Sequence, residues 1–346
     1  MGAMMEAARL HAEDGVDRDR LSRWLASRPR LTDVAERLVA AGCTVETDAA
    51  GNILARHRGH DPSTLPVLVV FRADGVTDAD LPDDGAGLAS LLELLAVLRE
   101  TPGVDHPPLE LVVTAGAQGG RAIDARGLRA SHGFVVETGE PVGTITYGAP
   151  ALTELDVTIR GRRASIGAAP EHTVSAIEVA ADALTRMELG RVDDETYTNV
   201  GTIHGGQSRG EVADVVRLEA LVRSRSNERL DRQVEAICAA VGGAAARARA
   251  VATIERDDVY RAFRLRFDSP PFLEAARAAE AVGLSVRRRQ GDVGTDANHL
   301  DAAGIPAVAL STGAVDGGRG SSDGPIQDLV DATRHVIRIV TQPSMA

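Results

Sequence analysis

The 346-residue chain has no lysine; all 38 of its basic residues are arginine. Mechanisms that need a lysine, such as Schiff-base formation or a Walker-type phosphate loop, are excluded at once. The bias itself reads as a nucleotide preference of a GC-rich genome rather than a functional feature. Cysteine is nearly as scarce. Cys43 and Cys238 stand far apart and form no metal or redox spacing, which predicts a reducing, cytoplasmic setting. Net charge is −12 and no cluster of basic residues stands out, so nucleic acid is not an expected partner. No apolar run approaches the length of a membrane span, and the first residues lack the basic-then-apolar pattern of a signal peptide. There is no G-x-S-x-G elbow and no complete G-x-G-x-x-G between a strand and a helix.

What is present reads as two domains. The length allows two cores. Helical periodicity covers residues 18–41, broken once at Pro29. Strands are expected at 52–58, 67–71, 109–114, 133–136 and 143–147, with a strongly apolar helix at 87–99. After Pro150 the pattern changes. Residues 152–159 alternate as a half-exposed strand, with Leu152, Leu155, Val157 and Ile159 inward and Thr153, Asp156 and Thr158 outward. A helix (174–187), strands (198–203, 215–223), a helix (228–240) and a strand (250–255) follow. From about Tyr260 the first pattern resumes with helix 271–281, strand 307–310 and helix 326–341. The predicted fold is α/β: a mixed, largely parallel sheet with helices on both faces, plus an inserted ferredoxin-like βαββαβ lid domain. The first domain takes residues 1–149 and 257–346, the insert 150–256.

Candidate chemistry begins at Arg72, where an apolar strand runs into Arg72-Ala73-Asp74. Asp74, Asp78, Asp80, Asp83 and Asp84 form a dense acidic run that lacks the spacing of a calcium loop. The glycines of 116–120 and 313–324 suit phosphate poorly, for want of a complete motif. His172, His204 and His299 are isolated in sequence and read as structural or surface residues.

Several segments, in order, carry a resemblance: Asp48-Ala49-Ala50-Gly51-Asn52, Pro82-Asp83-Asp84-Gly85-Ala86-Gly87, Gly161-Arg162-Arg163-Ala164-Ser165, Asn199-Val200-Gly201 with Gly205-Gly206, Arg223-Ser224, and Gly294-Thr295-Asp296-Ala297-Asn298. Together they resemble the zinc-dependent peptidase and aminoacylase family, the M-twenty group, and its peptidase T-like branch above all. The resemblance implies the two-domain architecture, with the lid often a dimerisation surface, and a pair of zinc ions. Carried over position by position, it implies a first metal histidine at Arg72, its orienting aspartate at Asp74 and a metal-bridging aspartate at Asp83. The general base falls on Ala117, the next ligand on Gln118 and a further acidic ligand on Glu137. The last metal histidine falls on Gly320 and the lid histidine on Ser165. Glu171 and His172 fall in the family's Pro-Glu segment and read as lid structure or dimer contact.

Two of five implied ligands survive, and no imidazole does. Two carboxylates alone would not hold two zinc ions tightly, so no metal and no other cofactor is expected. Arg72 and Gln118 are expected to stand in for the metal, bridging Asp83 and Glu137 by charge and hydrogen bonds. A small anionic or peptide-like ligand is expected at Asp74, Arg223 and Asn298. An alternative for Arg223 is pairing with Glu219 or Asp214. Three functions stay open: a catalytically silent homologue that binds a ligand or partner protein, a metal-independent enzyme for amide formation, cyclisation or elimination, and a hydrolase with a rebuilt metal site.

Overall fold

The structure, a computed structural model, describes residues 2–27, 30–73, 85–116, 119–163, 173–313 and 326–342. The chain divides into two compact units, Met1–Ala149 with Arg264–Ala346, and Pro150–Phe263. In the first unit, helices α1 (Gly2–Asp14), α2 (Arg18–Ser27) and α3 (Leu31–Ala40) precede strands β1 (Thr44–Thr47), β2 (Ile53–His57) and β3 (Val67–Ala73). Helix α4 (Gly85–Glu100) and strands β4 (Leu109–Ala115), β5 (Gly133–Glu137) and β6 (Thr144–Ala149) follow. The second unit holds β7 (Ala151–Arg160), α5 (Ala176–Leu184), β8 (Gly190–Arg191), β9 (Thr196–Gly205), β10 (Val215–Ser224), α6 (Asn227–Ala248) and β11 (Val251–Tyr260). The chain returns through β12 (Phe263–Arg264), α7 (Pro270–Ala281), β13 (Arg287–Gln290), α8 (Asp296–Ala302), β14 (Ala307–Ser311) and α9 (Ile326–Thr341).

The main sheet runs β1-β2-β4-β3-β5-β14-β6-β12, with β13 also pairing β6. Its centre is parallel: β3 pairs β4 and β5, and β5 pairs β14. Pairings β1–β2, β2–β4 and β14–β6 are antiparallel, so the sheet is mixed and largely parallel as expected. Residues Val67 to Phe71 are buried in succession, the pattern of a strand covered on both faces. One face takes Val69, Phe71, Leu111, Val113, Phe134 and Val136 into a core shared with α4, α7 and α9. Leu91 and Leu94 of α4 belong to that core, and α4 also carries the fully buried Glu93. A carboxylate there is tolerable only because Arg20 Nε donates to it at 2.6 Å and the Asp17 amide at 2.7 Å. The opposite face, with Leu68, Val70, Arg72, Glu110, Val112 and Thr114, lies outside that core.

The second unit has strand order β11-β7-β10-β9-β8. With the two-residue β8 set aside, this is the antiparallel arrangement of a ferredoxin-like βαββαβ module, with α5 and α6 on one face. Thr153 is a correction: it is fully buried, and Leu152, also buried, lies outside the cluster formed with α5 and α6, so the set facing those helices is Ala151, Thr153, Leu155, Val157 and Ile159. Its hydroxyl survives burial by donating to Asp258 Oδ1 at 2.6 Å. Strand β11 also runs past residue 256, because its pairing with β7 continues to Tyr260 opposite Leu152. Among the described residues no helix is long and apolar enough to cross a membrane. Both cysteines are free thiols, Cys43 buried and Cys238 partly so.

Candidate functional site

The parallel strands set up a polar row at their C-terminal ends. Arg72 of β3 stands opposite Thr114 of β4, and Ser311 of β14 opposite Glu137 of β5. Phe71 pairs with Val136, so one step further along these parallel strands Arg72 and Glu137 are neighbours. Adjacent strands are about 4.8 Å apart, which puts a carboxylate easily within a guanidinium's reach. Thr114, Arg72, Glu137 and Ser311 thus lie side by side, on the face opposite the α4 core, by the alternation of a strand. Arg72 and Glu137 are both half-buried.

Short helix α8 packs over this row. Thr295 caps it: its hydroxyl accepts from Ala297, and its own amide donates to Asn298 Oδ1 at 2.9 Å. Asp296, buried in the first turn, accepts the Thr114 hydroxyl at 2.8 Å, which fixes the helix to the end of β4. The two glycines after β4 make the fit possible. A Cβ at Gly119 would lie 2.6 Å from the Ala115 amide nitrogen, and one at Gly120 would collide with Asp296 Oδ1. Gly119 and Gly120 therefore have a packing reason, close approach to the end of β4 and to Asp296.

Asp48-x-x-Gly51-Asn52 braces the same corner from the other side. Asp48 Oδ1 accepts the amides of Ala50 and Asn52, both at 2.9 Å, around Gly51 at φ +88. Asn52, 4% exposed, accepts the Ala115 amide at 2.8 Å and donates to the Gly119 carbonyl at 3.0 Å. Through these bonds the motif ties the start of β2 to the end of β4 and to Gly119.

Sequence reasoning missed His299. Helix α8 brings it to this corner, half-buried, with its Cδ2 3.0 Å from where a Gly120 Cβ would stand. Burial pushes its imidazole below the usual range; Asp296 opposes the shift, and Arg121 and Arg72 add to it. The shift favours the neutral ring, beside two permanent positive charges. The only advance signal was its place one residue after the Thr295–Asn298 capping box.

Of the expected site residues, the structure brings Arg72 and Glu137 to adjacent strand ends and sets Asn298 in the helix above the sheet. Asn298 is 1% exposed and its Oδ1 serves the cap. Arg223 belongs to the other unit, half-buried on β10 opposite Leu152 and Tyr197, on the face away from α5 and α6. Asp74, Asp83, Ala117, Gln118, Ser165 and Gly320 lie outside the described residues, as do Glu171 and His172.

An α/β sheet with polar strand ends and an inserted ferredoxin-like module defines a recognisable class of protein. Residues 147–249 match the M20 peptidase dimerisation domain. The uncharacterized protein YqjE of Bacillus subtilis (strain 168) is 32% identical over 275 residues, 78% of this chain and 74% of that protein. The aminopeptidase PepT from Bacillus cereus ATCC 10987 superposes with a TM-score of 0.82 at 26% identity, covering 94% of this chain and 99% of that one. A tripeptidase from Staphylococcus aureus subsp. aureus mu50 gives a TM-score of 0.83, also at 26% identity, over 94% and 98% of the two chains. The chain belongs to the M20 peptidase family, as a PepT-like member.

Proposed function

We propose that this chain is an M20-fold protein that binds a small amino-acid-like or peptide-like ligand and does not carry out di-zinc hydrolysis. The observation that carries the proposal is Arg72, at the end of β3 beside the strand of Glu137, where the family resemblance implies a metal-binding histidine. A guanidinium stays charged at accessible pH and has no lone pair to offer a metal. It adds positive charge where two dications would need compensation. With Ala117, Gln118 and Gly320 at three further positions that the resemblance assigns to the site, Asp83 and Glu137 are left as donors. This donor set does not fit a di-zinc centre. Arg72 and Gln118 then complete the cluster in place of metal, through hydrogen bonds to Asp83 and Glu137. Within the first unit Asp74 is the residue assigned to the ligand; Asn298, buried with its Oδ1 in the cap of α8, shapes the corner rather than reaching outward. The match of 147–249 to a dimerisation domain supports a homodimer.

Elemental analysis of protein purified without chelator is the test. Zinc well below one atom per chain is expected, with no cleavage of di- and tripeptides or N-acyl amino acids after zinc or manganese is added. Near-stoichiometric zinc accompanied by hydrolysis would overturn the proposal. One observation favours a second reading, a metal-independent enzyme: His299, half-buried at this corner and held below the usual imidazole range near Asp296, Arg72 and Arg121, is a suitable acid–base group. Turnover of a ligand in the presence of chelator, lost in His299→Ala, would select that reading over simple binding.

A further inference from the structure

At the other rim of the main sheet, the chain enters β5 through Ser131 and His132. Ser131 is exposed, and its Oγ lies 3.1 Å from His132 Nδ1. On the far side of the ring, His132 Nε2 lies 2.9 Å from Glu274 Oε2, a carboxyl buried in α7. In the tautomer that carries its hydrogen on Nε2, the ring donates to Glu274 and accepts the Ser131 hydroxyl at Nδ1. The imidazole is further held edge-on to Phe134, with ring centroids 5.7 Å apart at 82°.

We propose that Ser131, His132 and Glu274 form a serine-nucleophile relay that takes acyl groups from activated esters. Its parts have the required order: an accessible hydroxyl, a base within hydrogen-bond distance, and a buried acid that fixes the base's tautomer. Ser131 Oγ attacks the acyl carbon while its proton passes to Nδ1, and the ester C–O bond breaks as the phenolate or alkoxide leaves. The imidazolium so formed keeps its Nε2 hydrogen bond to Glu274 and gives its Nδ1 proton to the departing phenolate or alkoxide, which restores the neutral ring for the second step. Water then attacks the acyl-serine, His132 relays its proton to Ser131 Oγ, and a carboxylic acid departs. Glu274 is a positioning residue throughout.

The loop before the nucleophile limits the substrate class. Buried Glu110 accepts the amides of Arg129 and Ala130 at 3.0 and 3.1 Å. This makes the loop rigid but commits those donors, so they cannot stabilise an oxyanion. Good leaving groups are therefore needed, and amides are not substrates. The relay uses no residue of the Arg72 corner and stands or falls apart from the function proposed above.

p-Nitrophenyl acetate with peptide mapping by mass spectrometry tests it. An acetyl adduct is expected on Ser131, formed equally with chelator present, at a rate that rises as one group deprotonates. Ser131→Ala should abolish the adduct without touching the fold. His132→Gln should slow acylation roughly a hundredfold or more, the usual worth of a general base. Glu274→Gln should slow acylation and move the pH profile, with partial recovery in Glu274→Asp. Exposed Ser63, whose hydroxyl donates to the Asp61 carboxylate at 2.6 Å, is the internal reference. Acetylation of Ser131 no faster than that of Ser63, or an undiminished nitrophenol burst in Ser131→Ala, overturns the proposal.

Discussion

His335 of α9 is 2% exposed, and its Nε2 faces the Ala275 carbonyl oxygen at 2.8 Å. Burial pushes its pKa down to about 4, against the pull of that hydrogen bond. In the unfolded chain the ring titrates near its ordinary value of 6.5, so between these limits the unfolded state binds more protons. The contribution to stability is thus complete above pH 6.5 and is lost as pH falls toward 4, roughly 3 kcal/mol if it acts alone. Urea unfolding at pH 7 and pH 4.5 should show this loss, and His335→Gln should flatten the dependence. An equal slope in wild type and variant would assign the acid sensitivity to other groups. At this scale the sequence was informative about identity and silent about partners. Arg72 stood out because a charge ends an apolar strand. Asn52 stood out as part of a motif, yet its partner Gly119 is 67 residues away, a distance that no local pattern spans. His299 looked isolated because Arg72, Arg121 and Asp296 converge on it only after folding.

Among the elements, those that bury a long apolar stripe were legible, and short or interrupted ones were not. The central strands and α4 follow their apolar runs closely. Helix α8, seven residues long, is too short to show a period, although its capping box is written in Thr295 and Asn298. Helix α6 was expected to stop at 240, ahead of Gly242-Gly243, but continues to Ala248 because Val241, Ala244 and Ala245 keep its inner face in the core. Tertiary packing there overrides the poor helix propensity of glycine. Gly242 itself is exposed, and an added Cβ would meet nothing within 4 Å. Gly242→Ala should consequently stabilise the protein by about 0.5–1 kcal/mol, through lower backbone entropy in the unfolded chain. A higher denaturation midpoint with an unchanged slope in urea is the expected readout. A lower midpoint would mean that the folded α6 needs glycine at this position.

In the whole molecule, alternation after Pro150 announced a second unit, and its boundaries follow from which core each residue joins. Leu155, Val157, Ile159, Val179, Leu218, Val222, Leu230 and Ile237 form a core that excludes residues of the main sheet. A segment with its own core and a complete antiparallel sheet has the makings of an independent domain. The first unit is discontinuous, yet its two cut ends are already neighbours: the Leu265 amide donates to the Tyr147 carbonyl at 2.7 Å. Closing so short a gap costs little chain entropy. Two expectations follow from that geometry. Residues 150–263 made alone should unfold cooperatively in urea. The complementary protein, with Ala149 joined to Arg264 by a few glycine and serine residues, should keep the main sheet and the buried His335. Hydrogen exchange reads both outcomes, since slow amides in β3, β4 and β5 report the sheet and slow amides in β7 and β10 report the insert. Fast exchange throughout either fragment would show that its core is stable only in the presence of the other. Slow exchange in both would make the insert a module that can be removed while the Arg72 corner and the Ser131 relay are studied by themselves.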